Sequence, residues 1–213
     1  VLDAASPQVV ALAPSNGAVG VALGSSVRID FSEPISPSYQ ANWVELRRLA
    51  GSLLAVTSVW SADRRSLTLI PGAPLASFTS YQIKVTTRVM DLAGRHLGSL
   101  VQGTFTTLDA VPPQISSTLP VQNAKNVPVE TQIRVVFSEA VTLESLSGPA
   151  LQLFDVDDQV GVATTFTLQP QAREVLITPI AVLAPDHVHR LTIQGVRDPV
   201  GNIGRVWIVS ADE

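Results

Sequence analysis

Apolar and polar residues alternate in short bursts along this chain. Val27, Ile29 and Phe31 share one face of an extended segment while Arg28, Asp30 and Ser32 share the other, the period-two pattern of a half-buried strand. The alternation returns at Leu67/Leu69, Tyr81/Ile83/Val85, Ile133/Val135/Phe137, Val175/Ile177 and His189/Leu191/Ile193. Turn residues such as Pro14, Asn16-Gly17, Pro34, Pro71-Gly72, Gly94 and Gly201 punctuate the gaps, and no stretch carries a helical stripe with caps. The first half reads as strands over 7–12, 26–32, 42–48, 53–60, 66–70, 80–87 and 102–107.

The pattern is written twice. "SPQVVALAPSNGAVGV" (6–21) aligns with "PPQISSTLPVQNAKNV" (112–127), and Phe31-Ser32-Glu33 with Phe137-Ser138-Glu139, at an offset of 106. Pro71, Leu75, Tyr81, Ile83 and Val85 meet Pro179, Leu183, His189, Leu191 and Ile193 at 108, and Asp91 with Gly94 meets Asp198 with Gly201 at 107. The offset changes in two segments that read as loops, where insertions cost little. A repeat this long is a structural unit used twice.

About seven short strands in roughly 100 residues, separated by regular turn signals, is the profile of an immunoglobulin-like sandwich. The predicted fold is all-β, two tandem immunoglobulin-like β-sandwiches of about seven strands each. One spans 1–109, with a linker remnant at 1–6, and the other spans 110–213. A linker over 108–113 contains Val111-Pro112-Pro113, stiffened because each Pro fixes φ and holds the preceding residue extended. Tyr81 opens the sixth strand, where such sandwiches keep a Tyr bonded back to the backbone; His189 holds that place in the second half. Trp60, Phe78, Phe105 and Trp207 are assigned to the cores.

The residues Phe31-Ser32-Glu33-Pro34, Tyr81, Asp91, Gly94 and Phe105-Thr106-Thr107 resemble the bacterial Ig-like domains of S-layer and other large exported bacterial proteins. The second half departs at Ala140, at His189 and in "GRVWIVSADE". The resemblance implies an extracellular or cell-surface location and a role as a spacer beside neighbouring domains of the same chain. Leu2-Asp3-Ala4 repeats Leu108-Asp109-Ala110, so Val1 reads as part of a linker cut from a longer array.

Composition narrows the function further. Apolar residues are 46% of the 213 and charged residues 15%, which argues against disorder, and no apolar run reaches the roughly 18 residues of a membrane span. Without Cys there are no disulfides and no thiol chemistry. Net charge is −4, with eight basic and seven acidic residues up to Ala110 and six and eleven beyond it; neither half offers the basic surface that nucleic acid needs.

No catalytic residue is assigned. Ser32 and Glu33 diverge as strand neighbours, and His187 and His189 are read onto opposite faces of one strand, a poor start for a triad. The repeated acids Asp3, Glu33 and Asp91 match Asp109, Glu139 and Asp198, and each set converges on one pole of its sandwich. Asp109, Glu139 and Asp198 are thus candidate ligands for a structural Ca²⁺, against the alternative that they satisfy turn amides. Tyr39 and Trp43 have no aromatic counterparts in the second half and are candidate ligand-binding residues for a glycan or a partner protein, against the alternative that they tuck into the sandwich edge. Asp155, Asp157 and Asp158 read as a solvated turn, and Arg47-Arg48 and Arg64-Arg65 as solvated edges.

Overall fold

The structure, a computed structural model, describes residues 5–211. The chain divides into two units between Ala110 and Val111. The first has eight strands: β1 (Val9–Ala13), β2 (Ala18–Val21), β3 (Val27–Phe31), β4 (Val44–Arg48), β5 (Val56–Trp60), β6 (Ser66–Pro71), β7 (Ser80–Val85) and β8 (Val101–Thr107). They form two four-stranded sheets, ordered β1-β3-β6-β5 and β2-β8-β7-β4. The second unit has β9 (Ile115–Leu119), β10 (Ile133–Phe137), β11 (Leu151–Asp155), β12 (Val160–Val162), β13 (Thr164–Leu168), β14 (Glu174–Pro179), β15 (His189–Ile193) and β16 (Trp207–Ala211). Its sheets run β13-β14-β10-β9 and β12-β11-β15-β16. In both, one sheet holds the first, second, fifth and fourth strands of an immunoglobulin-like sandwich and the other holds the third, sixth and seventh.

The alternating positions make the cores. Val27, Ile29, Leu67, Leu69, Ile83, Val85 and Phe105 are buried in the first unit, and Val135, Phe137, Val175, Ile177, Leu191 and Ile193 in the second. Removing such side chains from water is the main stabilising term. Tyr81 sits in the first core, stacked on Phe105 with ring centroids 5.5 Å apart, and its hydroxyl accepts the amide hydrogen of Ala76 at 2.8 Å. Trp60 is half-buried against Phe31, 5.8 Å away, and Trp207 meets Phe137 edge-on at 6.1 Å.

The reading of seven strands per half missed one in each. In the first unit the opening segment changes sheets: β1 pairs antiparallel with β3, and β2 then pairs parallel with β8. Asn16 and Gly17 guide the crossing, for Asn16 Oδ1 accepts the Thr104 amide at 2.9 Å and the Gly17 amide donates to Thr104 O at 2.7 Å. Gly103 leaves the room; a Cβ there would lie 2.6 Å from Leu12 Cδ1. In the second unit the extra strand is β12, which hairpins onto β11 before β13 joins the other sheet.

Two other assignments need correcting. Phe78 is 76% exposed and outside the core, in a turn with φ at +44°, because a left-handed turn conformation points its side chain away from the sheets. That conformation suits Asn better than a Phe. Phe78→Asn should therefore stabilise the first unit by about 1 kcal/mol, raising its thermal midpoint by several degrees, measured through Trp43 and Trp60 fluorescence. Arg64 is half-buried instead of solvated: its guanidinium donates to Ile35 O at 2.6 Å and Ser36 O at 2.7 Å and lies 4.8 Å above the Trp60 ring.

Candidate functional site

The repeated Phe-Ser-Glu phrase is structural at its first two positions. Phe31 and Phe137 are core residues. Ser32 Oγ accepts the Gln8 amide and Ser138 Oγ the Gln114 amide, each at 3.0 Å. The Ser32 amide in turn donates to Gln8 O and the Ser138 amide to Gln114 O. Each Ser thus clasps the segment entering its unit, where a chain without side-chain help would leave polar backbone unpaired.

The repeated acids build turns. Asp91 is 2% exposed, and its Oδ1 accepts the amides of Ala93 and Arg95, both at 2.8 Å. Asp198 Oδ1 accepts those of Val200 at 3.0 Å and Asn202 at 2.8 Å, while its Oδ2 receives Asn202 Nδ2 at 2.7 Å. Glu139 and Asp198 also bring carboxylate oxygens within 4.8 Å of each other. Asp109 belongs to the first unit, where its Oδ1 accepts Ser77 Oγ–H at 3.1 Å. Asp3, from the first set of acids, lies outside the described residues.

The aromatic candidates are packed together instead of displayed. Trp43 is 8% exposed and part of the first core. Tyr39, half-buried, stands edge-on to Trp43 at 5.9 Å and to Trp60 at 5.1 Å. Burial pushes the Tyr39 hydroxyl pKa up, with Ser58 acting in the opposite direction. Ring faces engaged this way are poorly placed to stack on a ligand.

A constellation absent from the sequence reading lies at the other pole of the second unit. Asp155, at the end of β11, is not part of a solvated turn: it is 3% exposed, and its Oδ1 accepts the amides of Asp157 and Asp158 at 3.0 and 3.1 Å. Its Oδ2 lies 2.8 Å from His187 Nδ1 and 3.6 Å from His189 Nε2. Reading the two histidines onto opposite faces is overturned, since residues two apart on a strand share a face and His187 precedes β15; both rings reach one carboxylate. Burial works against the charge on Asp155, yet the hydrogen bonds from His187 and the Asp158 amide, with both imidazoles nearby, leave its pKa below the ordinary value. The same hydrogen bond raises the His187 pKa, against the effect of burial. The signal available in the sequence was His189 in the place of Tyr81.

Among the described residues no helix is long and apolar enough to cross a membrane. A family profile described as bacterial Ig-like domain matches residues 3–107 and again 109–207. Among solved structures, CopC from Methylosinus trichosporium OB3b is 24% identical over 49% of this chain and 96% of its own, with a TM-score of 0.41. The titin fragment A168169 is 14% identical over 98% of both chains, at 0.45. Domains 1–6 of the surface layer protein SbsC are 14% identical over 99% of this chain and 26% of theirs, at 0.39. No curated protein matches the sequence.

Proposed function

Because the chain belongs to the bacterial Ig-like domain family twice over, we propose that it is a non-catalytic pair of structural modules that spaces and orients other parts of a larger exported or cell-surface bacterial protein. The observation that carries this reading is the use made of the repeated polar residues. Ser32, Ser138, Asp91 and Asp198 are all engaged in bonding their own unit's backbone, so these shared polar residues serve folding. Its partners are then the neighbouring domains of the same chain, and it needs no cofactor for its task.

Exchange of the pair, within its parent protein, for an unrelated two-domain immunoglobulin-like pair of equal length tests this. Export and surface display should survive. Selective loss of binding to a glycan or a surface protein would instead establish a recognition module, and Tyr39→Ala with Trp43→Ala would then be the first variants to compare. A Ca²⁺ role for Glu139 and Asp198 rests on their approach within the second unit, and on oxygen donors being what that ion prefers. It predicts that chelator lowers the melting temperature and that Asp198→Asn abolishes the difference.

A further inference from the structure

One rung of the second sandwich differs from its counterpart in the first at both ends. Arg48 stands opposite Tyr81 across the β4–β7 pair, and Asp155 stands opposite His189 across the equivalent β11–β15 pair. In the first unit the Tyr hydroxyl finds a backbone amide. In the second the bonding of His189 leaves one nitrogen over. Its Nδ1 lies 3.2 Å from the carbonyl oxygen of His187; a carbonyl only accepts, so Nδ1 carries the hydrogen. Nε2 of the neutral ring is then a bare lone pair. It is buried without a hydrogen-bond partner in a residue only 8% exposed, and it faces an anionic oxygen, Asp155 Oδ2, at 3.6 Å.

A lone pair aimed at a carboxylate in a dry site calls for positive charge between them. Around that gap His187 Nδ1 lies 2.8 Å from the same oxygen, and one donor atom each of Asp155, Asp157 and His187 falls within 4.8 Å of the others. We propose that Asp155, Asp157 and His187 hold a borderline transition-metal dication of the Zn²⁺ class, with His189 Nε2, 3.6 Å from Asp155 Oδ2, drawn in as the fourth ligand on binding. The 3.6 Å separation is near the edge of about 3.3–3.4 Å that bonds of about 2.0–2.1 Å give a tetrahedron. Binding exchanges the His187 Nδ1 proton, released to solvent, for the metal and opens that contact by roughly half an ångström. His187 is free to yield, standing ahead of β15 with its side chain 27% exposed. Two imidazoles beside carboxylates favour Zn²⁺, Ni²⁺ or Cu²⁺ over Ca²⁺ or Mg²⁺. The first unit, with Arg48 and Tyr81 on this rung, has no such set and serves as an internal control.

Titration of metal-free full-length chain with ZnCl₂ at neutral pH, followed by calorimetry, should give one site per chain that excess Ca²⁺ does not displace. Thermal unfolding followed through Trp207 should rise by about 10 °C or more at Zn²⁺ one hundred times its dissociation constant. Both effects should vanish in Asp155→Asn and in His189→Tyr, which restores the first unit's residue; His187→Ala, at a more exposed position, supplies the same loss should either buried variant fail to fold. Absence of binding, binding that survives in those variants, or imidazole nitrogen spectra showing both His189 nitrogens protonated in the presence of Zn²⁺ would overturn the proposal, the last by identifying a proton as the occupant.

Discussion

Phe137→Ala should destabilise the second unit by about 3–5 kcal/mol. The ring is 2% exposed, it closes β10 opposite Ile115 of β9, with its amide donating to Arg173 O just ahead of β14, and Trp207 packs edge-on against it. Truncation removes the apolar area and leaves a hole that a rigid two-sheet core fills poorly. For a domain of this size the thermal midpoint should fall by at least about 12 °C. Trp207, the Trp of that unit, reports the transition directly. A midpoint unchanged within a few degrees would mean that the Phe of the repeated phrase is not a core residue.

Asp91→Ala should destabilise the first unit by about 2–4 kcal/mol, whereas Asp91→Asn should recover most of the loss. Ala removes the oxygen that accepts two amides inside a residue 2% exposed, and amides left unpaired there pay their full desolvation. Asn keeps an acceptor in the same place. Chemical denaturation monitored at Trp43 and Trp60 separates the two variants; equal losses would show that the side-chain charge, and not the acceptor, is what the turn requires.

The contrast between what the sequence disclosed and what it hid has physical causes. Alternation at Val27/Ile29/Phe31 and at Ile133/Val135/Phe137 was readable because a strand buried on one face repeats every second residue, and the duplication made each half a check on the other. The bond from the Ala76 amide to Tyr81 was readable because the corner is a local motif. β2 was not, because Ala18–Val21 is short, with only its two end residues half-buried, and acquires its partner 87 residues away, Ala18 opposite Phe105. Phe78 was misplaced because hydrophobicity says nothing of φ. Asp155 was misread because "FDVDDQ" looks solvated from its own neighbours; its burial comes from His187 and His189, more than thirty residues on, through the β11–β15 register. Pairing across strands is information that a linear pattern does not carry.

The parallel β2–β8 pair gives the first unit a property that the second lacks among its described strands. A chain pulled by its two ends draws the opening and closing strands of a sandwich in opposite directions. Where those strands lie side by side and parallel, their hydrogen bonds are strained together in shear; in the second unit the opening segment meets β16 through the Asn123 amide on Ser210 O, without a parallel ladder among the described strands to share the load, and the antiparallel bonds can then peel off in turn. Stretched between anchored points, the first unit would therefore rupture at the higher tension, and the second would extend first as the more compliant element.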